Sequence, residues 1–149
     1  MGIVLRTVGA AAVAAALAAT PVIGHDHATG VVKERMEQME AMAKHMKAIS
    51  ERIKSKRDLT AIKGDAAAIA ALAPHITHLF PKGSTQSPTE AKVTIWNNWP
   101  DFESKARALE VESGALANMN SEDFGTLSAQ VRAVSQACGA CHEKYRAKK

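Results

Sequence analysis

Four stretches of the chain repeat apolar residues at alternating steps of three and four, the spacing that lays a single stripe along an α-helix. The first, over residues 31–55, carries Val32, Met36, Met39, Ala43, Met46, Ser50 and Ile53. The second, over 59–79, carries Leu59, Ile62, Ala66, Ile69, Ala73 and Ile76, and Pro74 is expected to bend or shorten its last turn. The third follows Pro100, a suitable first-turn proline, and sets Phe102, Ala106, Leu109, Ser113 and Leu116 on one face. The fourth is the most regular, with Phe124, Leu127, Val131, Val134, Cys138, Cys141 and Tyr145, and Asn120 or Ser121 is expected to cap it. Between the second and third, FPKGSTQSP reads as a loop and TEAKVTIWNNW as a short helix or turn. No segment alternates as a strand would, and there is no internal repeat. One-sided stripes must be buried against one another, and short connections favour antiparallel neighbours, so the pattern predicts an all-α, up-down-up-down four-helix bundle. In that bundle the end of the fourth helix lies level with the start of the first, which brings Met36 and Met39 near the cysteines.

Composition agrees with one such core. The 149 residues are 46% hydrophobic, 23% charged and only 4% aromatic, and alanine is abundant, which suits helices. The net charge of +4 is modest and interleaved except in the tail EKYRAKK, so nothing resembles a nucleic-acid groove, although a basic face could steer an acidic partner. The opening MGIVLRTVGAAAVAAALAATPVIG has one arginine, then an alanine-rich apolar run, and no acid before Asp26. That order predicts a secretory signal over residues 1–24, cleaved after Gly24 in preference to Ala18. The competing reading is a retained anchor, which the break at Thr20 and Pro21 disfavours. Removal leaves one domain, 25–149, with no membrane-length apolar run, and export to a bacterial periplasm follows. Cleavage there would expose His25-Asp26-His27, a terminus suited to copper or nickel, although a disordered tail is the preferred reading.

The two cysteines lie in QACGACHEKYR, where Cys138, Cys141 and His142 share a helix face that continues the apolar stripe inward. A thioredoxin-like dithiol sits at a helix start, where the dipole lowers the thiol pKa, and this pair is near a helix end. A structural zinc ion needs a closed set of four ligands, and no second ligand pair is apparent. Residues three apart on an intact helix are poorly placed for a disulfide. C-x-x-C-H is the attachment signature for c-type haem, with the thiols forming thioethers to the vinyl groups and the histidine reaching the iron. With an export signal and no other cysteine, one covalent haem c is the favoured reading, dithiol and metal chemistry being the alternatives.

CGACHEKYR near the C-terminus, RMEQMEAMAKHMKAI in the first helix, LFPKGS and the Ile95-Trp96 pair together resemble the class II c-type cytochromes, which include cytochrome c′. The resemblance spans essentially the whole mature chain and implies a four-helix bundle with His142 as proximal iron ligand. It implies further that Arg35 lies near the haem propionates, that Met39 faces the distal side of the iron, and that Arg146 lies near the proximal imidazole; Met36 is counted with the cofactor contacts through its place near the cysteines in the antiparallel bundle. In low-spin relatives a methionine from this helix binds the iron, and in high-spin relatives an apolar side chain crowds an open face. The methionine-rich stretch inclines the reading towards ligation by Met39 and electron transfer with a redox protein. The alternative is a five-coordinate site binding NO or CO. Methionines at helical spacing are commonly core filler, which is the reading for Met42 and Met46. His75 and His78 could reach a metal but read as surface residues, and His45 lies farther along. No convergent acid or base suggests an enzyme, and alternating charges fit a monomer or a homodimer.

Overall fold

The computed structural model describes residues 27–120 and 123–148. The expected signal segment, His25, Asp26 and Ser121 lie outside the described residues. Within them the chain forms α1 (Gly30–Ser55), α2 (Ile62–Leu72), a one-turn α3 (Thr94–Asn97), α4 (Trp99–Ala117) and α5 (Phe124–Tyr145). The proline expectations hold. Pro74 lacks an N–H and its ring opposes the carbonyl four residues back, so α2 stops at Leu72 and continues as two 3₁₀ turns, Ala73–His75 and Thr77–Leu79. Pro100 occupies the first turn of α4. The only β pairing among the described residues is an isolated antiparallel bridge between Ala91 and Arg146.

Cross-helix contacts show the antiparallel order, because partner numbers fall on one helix as they rise on the other. From α1, Gln38 Nε2 donates to the Leu72 carbonyl at 2.9 Å, His45 Nδ1 lies 2.8 Å from Asp65 Oδ1, and Arg52 pairs with Asp65 and Asp58. Between the second and third long helices, Lys63 reaches Asn120 at one end and the rings of Phe80 and Phe102 meet 4.8 Å apart at the other. Between α4 and α5, Gln130 bonds Glu112 and the Tyr145 hydroxyl donates to Asp101 at 2.6 Å. The bundle is therefore up-down-up-down, with its core on Ile49, Ile62, Ile69, Phe102, Leu116 and Val134.

Two expectations need correction. The cap of α5 is Asp123 in place of Asn120, and its carboxylate accepts from the Thr126 amide at 2.6 Å and its hydroxyl at 2.8 Å. A carboxylate there satisfies an otherwise unpaired donor of the first turn and is favoured by the helix dipole. The stripe drawn on α1 is also displaced. The buried positions are Val32, Arg35, Met42 and Ile49, while Met36, Met39 and Met46 are half-buried and Ala43 is exposed. α1 thus has two apolar faces side by side, one in the core and one towards α5. The stripes on α2 and α4 are buried as expected: Ile62, Ala66, Ile69, Ala73 and Ile76 in one, Phe102, Ala106, Leu109, Ser113 and Leu116 in the other.

The end of α5 is tied down from two sides. Lys92 N donates to the Tyr145 carbonyl at 2.9 Å, Ala147 N to the Glu90 carbonyl at 2.8 Å, and Arg146 pairs with the Glu90 carboxylate at 2.6 Å. On the other side Asp101 of α4 accepts from both Tyr145 and Lys144. These two bonds, Tyr145 first, hold the Asp101 carboxyl below its usual range. A depressed carboxylate stabilises the fold above its unfolded pKa and loses that contribution as pH falls through the folded value.

Two outcomes follow. Leu116→Ala, at a fully buried position remote from the cysteines, should cost about 2–5 kcal/mol in denaturant unfolding; a much smaller loss would show that this end is not close-packed. Asp101→Asn keeps an acceptor for Tyr145 but removes the charge. Below about pH 4, near the ordinary Asp value, the wild type should lose stability more steeply than the variant, and parallel pH profiles of the denaturation midpoint would contradict the coupling.

Candidate functional site

Between α1 and α5 the bundle is not closed by direct helix packing: these two helices touch sparsely, whereas α1 with α2, α2 with α4 and α4 with α5 pack along their lengths. Two clefts open there, of about 380 and about 360 Å³. Both are bordered by Met39 and Ala43 from α1 and by Cys141 and His142 from α5. The first runs inward along Met42, Met46, Ile69, Ile76, Leu109 and Cys138, with Lys47 and Lys105 as its charged members. The second runs towards Arg35, Met36, Phe80, Phe102, Tyr145 and Arg146, and is the more polar. All seven residues singled out from the sequence thus border one pair of adjoining clefts.

Local structure explains the order of the α5 groups. Leu127, Val131, Val134 and Tyr145 are buried in the core that α5 shares with α4, while Cys138 and Cys141 are half-buried. The stripe therefore leaves the protein core at the cysteines and turns its apolar face to the cleft. Burial raises both thiols, Cys141 to about 11, with Lys105 only partly offsetting it. A neutral thiol is a poor nucleophile and a poor zinc ligand, and among the described residues no group of three or more His, Cys, Asp or Glu is placed to hold a metal ion. Redox dithiol and structural zinc chemistry both lose ground on this observation. His142 keeps an exposed edge, yet desolvation of the part set in the cleft, and then the charge of Arg146, lowers its pKa and favours the neutral imidazole that can donate a lone pair.

Arg35 occupies the cleft differently from a free cation. It is 4% exposed. Its Nε donates to the Leu79 carbonyl at 3.0 Å, Nη1 to Thr89 Oγ1 at 2.8 Å, and Nη2 to Ser84 Oγ at 2.6 Å and to the Ser84 carbonyl at 3.2 Å. The guanidinium also lies 4.1 Å from the Phe80 ring centroid. Four of its hydrogen bonds thus fasten the 79–89 loop as one wall of the second cleft, and this part of the site was not visible in the helical periodicity. Thr89, Glu90 and Ala91 enter the site by the same loop. His75 and His78 border neither cleft, and His45 is held by Asp65.

The donor set fits a covalently attached haem. Two thiols and a neutral imidazole share one helix face, a thioether faces them from α1, the long walls are apolar, and a buried cation with one spare N–H stands at the more polar end. Cys138 and Cys141 would hold the group, and His142 would supply a nitrogen ligand to its iron.

Known proteins agree with that reading. The family profile described as Cytochrome C' matches residues 30–146. Cytochrome c-556 of Agrobacterium fabrum is 32% identical over 148 residues, covering 97% of each chain. Among solved structures, cytochrome c prime from Shewanella frigidimarina superposes with a TM-score of 0.74 at 26% identity, covering 79% of this chain and 94% of that one. A nitric oxide complex of a point variant of cytochrome c prime from Alcaligenes xylosoxidans gives a TM-score of 0.71 at 26% identity, covering 80% and 94%. The chain belongs to the cytochrome c′ family, as a monohaem c-type cytochrome with one covalently attached haem c.

Proposed function

We propose that this chain is a periplasmic one-electron carrier in which His142 is the proximal ligand and Met39 the sixth ligand. The observation that supports this most is the place of Met39, the α1 methionine that borders both clefts together with Cys141 and His142. The haem, when bound, supplies a one-electron couple at iron.

The protein's own groups do the rest. Cys138 and Cys141 would anchor the group to α5 through thioethers, and His142, whose surroundings favour the neutral imidazole, would present a nitrogen lone pair. Met39 presents a soft sulfur, a ligand that tends to raise the reduction potential. Ligands on two separately anchored helices limit movement between oxidation states, which suits a carrier better than a catalyst. Met42, Met46, Ile69, Ile76 and Leu109 keep water from the inner face, and Arg35 offers its remaining N–H and its charge to an acidic substituent at the other end. Export by the residue 1–24 signal accounts for how such a chain reaches a haem-attaching compartment, and no helix among the described residues is long and apolar enough to cross a membrane.

A second reading is a five-coordinate site for NO or CO, in which Met39 only crowds the distal face. The likeness to the Alcaligenes nitric oxide complex favours it.

Optical spectra separate the two. Ligation predicts a sulfur-to-iron charge-transfer band in the ferric protein that disappears in Met39→Ala; a high-spin ferric spectrum with ready CO uptake by the ferrous wild type would establish the second reading instead. The attachment is tested independently. Replacing Cys138 and Cys141 together by Ser should remove haem that survives a denaturing gel, and persistence of the red band would overturn the assignment of both thiols.

A further inference from the structure

Both tryptophans of the chain border a third, more open groove of about 400 Å³, together with Thr77, His78, Phe80, Pro81 and Lys82. It meets the haem clefts only through Phe80, which lines the second cleft as well. His78, which borders it, faces His75 of the preceding turn: two exposed imidazoles with ring centroids 6.4 Å apart and planes tilted by 42°. Among the described residues neither ring has a hydrogen bond or ion pair, so their recorded contact is with each other.

The backbone creates this pairing. On an α-helix, residues three apart are offset by about 60° around the axis. In a 3₁₀ turn three residues complete the circle and side chains at i and i+3 eclipse. Pro74 ends the α-helix, and the two histidines fall in the consecutive 3₁₀ turns that replace it. They are thereby stacked on one edge and left in solvent.

We propose that His75 and His78 form a two-imidazole binding site for a borderline divalent transition ion, Cu(II) foremost, with water completing its coordination. Imidazole suits copper, nickel and zinc, and for a given nitrogen site Cu(II) binds most tightly of the divalent first-row series. Two metal–nitrogen bonds of about 2 Å join rings whose centres stand somewhat closer than they do now, a change that torsions of exposed side chains can supply. The charged side chain bordering the groove beside His78 is Lys82, and among the described residues no Asp, Glu or Cys joins the pair to make a set of three ligands, so hard oxygen-seeking cations such as Mg(II) gain nothing there. The site stands apart from the haem and holds for either ligation state of iron.

The other copper candidate is the terminus at residues 25–27, so the test uses the ferric, haem-loaded protein carrying His27→Ala. Titration calorimetry with Cu(II) should show one equivalent bound, and the cupric EPR signal should carry splitting from two imidazole nitrogens. His75→Ala and His78→Ala should each weaken binding by at least the roughly tenfold that loss of even an outer-sphere partner costs, and the double variant should abolish it. Mg(II) should give no heat. Both positions are exposed, so Tm and the haem spectrum serve as unchanged controls for folding. Absence of binding in the His27→Ala protein, or binding that survives in the double variant, would sink the proposal.

Discussion

The gap between α1 and α5 is the constraint on which the remaining arrangement depends. Three of the four helix pairings are made by side chains alone, with Ile49, Ile62, Ile69, Phe102, Leu116 and Val134 almost completely removed from water. The fourth side presents Met39, Met46, Cys138 and Cys141, half-buried and apolar, across the clefts. Apolar surface of this kind gains roughly 25 cal/mol per Å² when removed from water. A covalently held apolar macrocycle would supply that burial, and cofactor and helices would then share one hydrophobic core. This accounts for the two apolar faces of α1: one packs on protein, and its neighbour is matched to the prosthetic group.

Arg35 shows how the polar end of that gap is kept in order. Taking a charged group out of water costs several kcal/mol, and burial lowers the guanidinium pKa accordingly, although arginine remains charged. Hydrogen bonds to a charged group return about 1.5–3 kcal/mol each, and Arg35 makes four. The two sides are of similar size, so the cluster contributes more to geometry than to net stability. What it specifies is the course of the 79–89 loop, 44 to 54 residues away in sequence, and through Glu90, Ala91 and Lys92 the loop in turn fastens the last turn of α5.

The fold and the α5 half of the site were legible in sequence because both follow from helical spacing. C-x-x-C-H sits on consecutive turns, and the stripes of α2 and α4 faced a single protein core. Helix α1 misled because periodicity registers apolar residues without distinguishing which partner they meet; Met36, Met39 and Met46 are half-buried on the clefts, whereas Met42 is buried in the core and meets the first cleft from there. The loop contacts of Arg35 left no periodic signal, since a side chain bonding carbonyls and hydroxyls far along the chain is not encoded in local spacing. The cap at Asp123 was missed for a similar reason: several capping residues crowd the NMNSED segment, and the one that caps is fixed by where the α5 stripe must begin.

Whether a methionine on α1 can serve the iron depends on the rotation of that helix as much as on its position. Successive residues are separated by about 100° around the axis, so a register error of one residue would carry Met39 out of the cleft. Gln38, His45 and Arg52 recur every seven residues on the neighbouring face, and each engages α2 or the turn before it. Arg35, one turn before Gln38 on that side, engages the loop. Four polar contacts therefore fix the rotation that delivers Met39 between the clefts, while Ala43, one turn farther on, leaves space beside it. The backbone at this point is determined and the side chain is not: methionine has three rotatable bonds and a polarisable sulfur. Ligation and steric cover are then two rotamer choices on one anchored scaffold, and a few kcal/mol at the sulfur decides between a carrier and a gas-binding site without any change in the bundle.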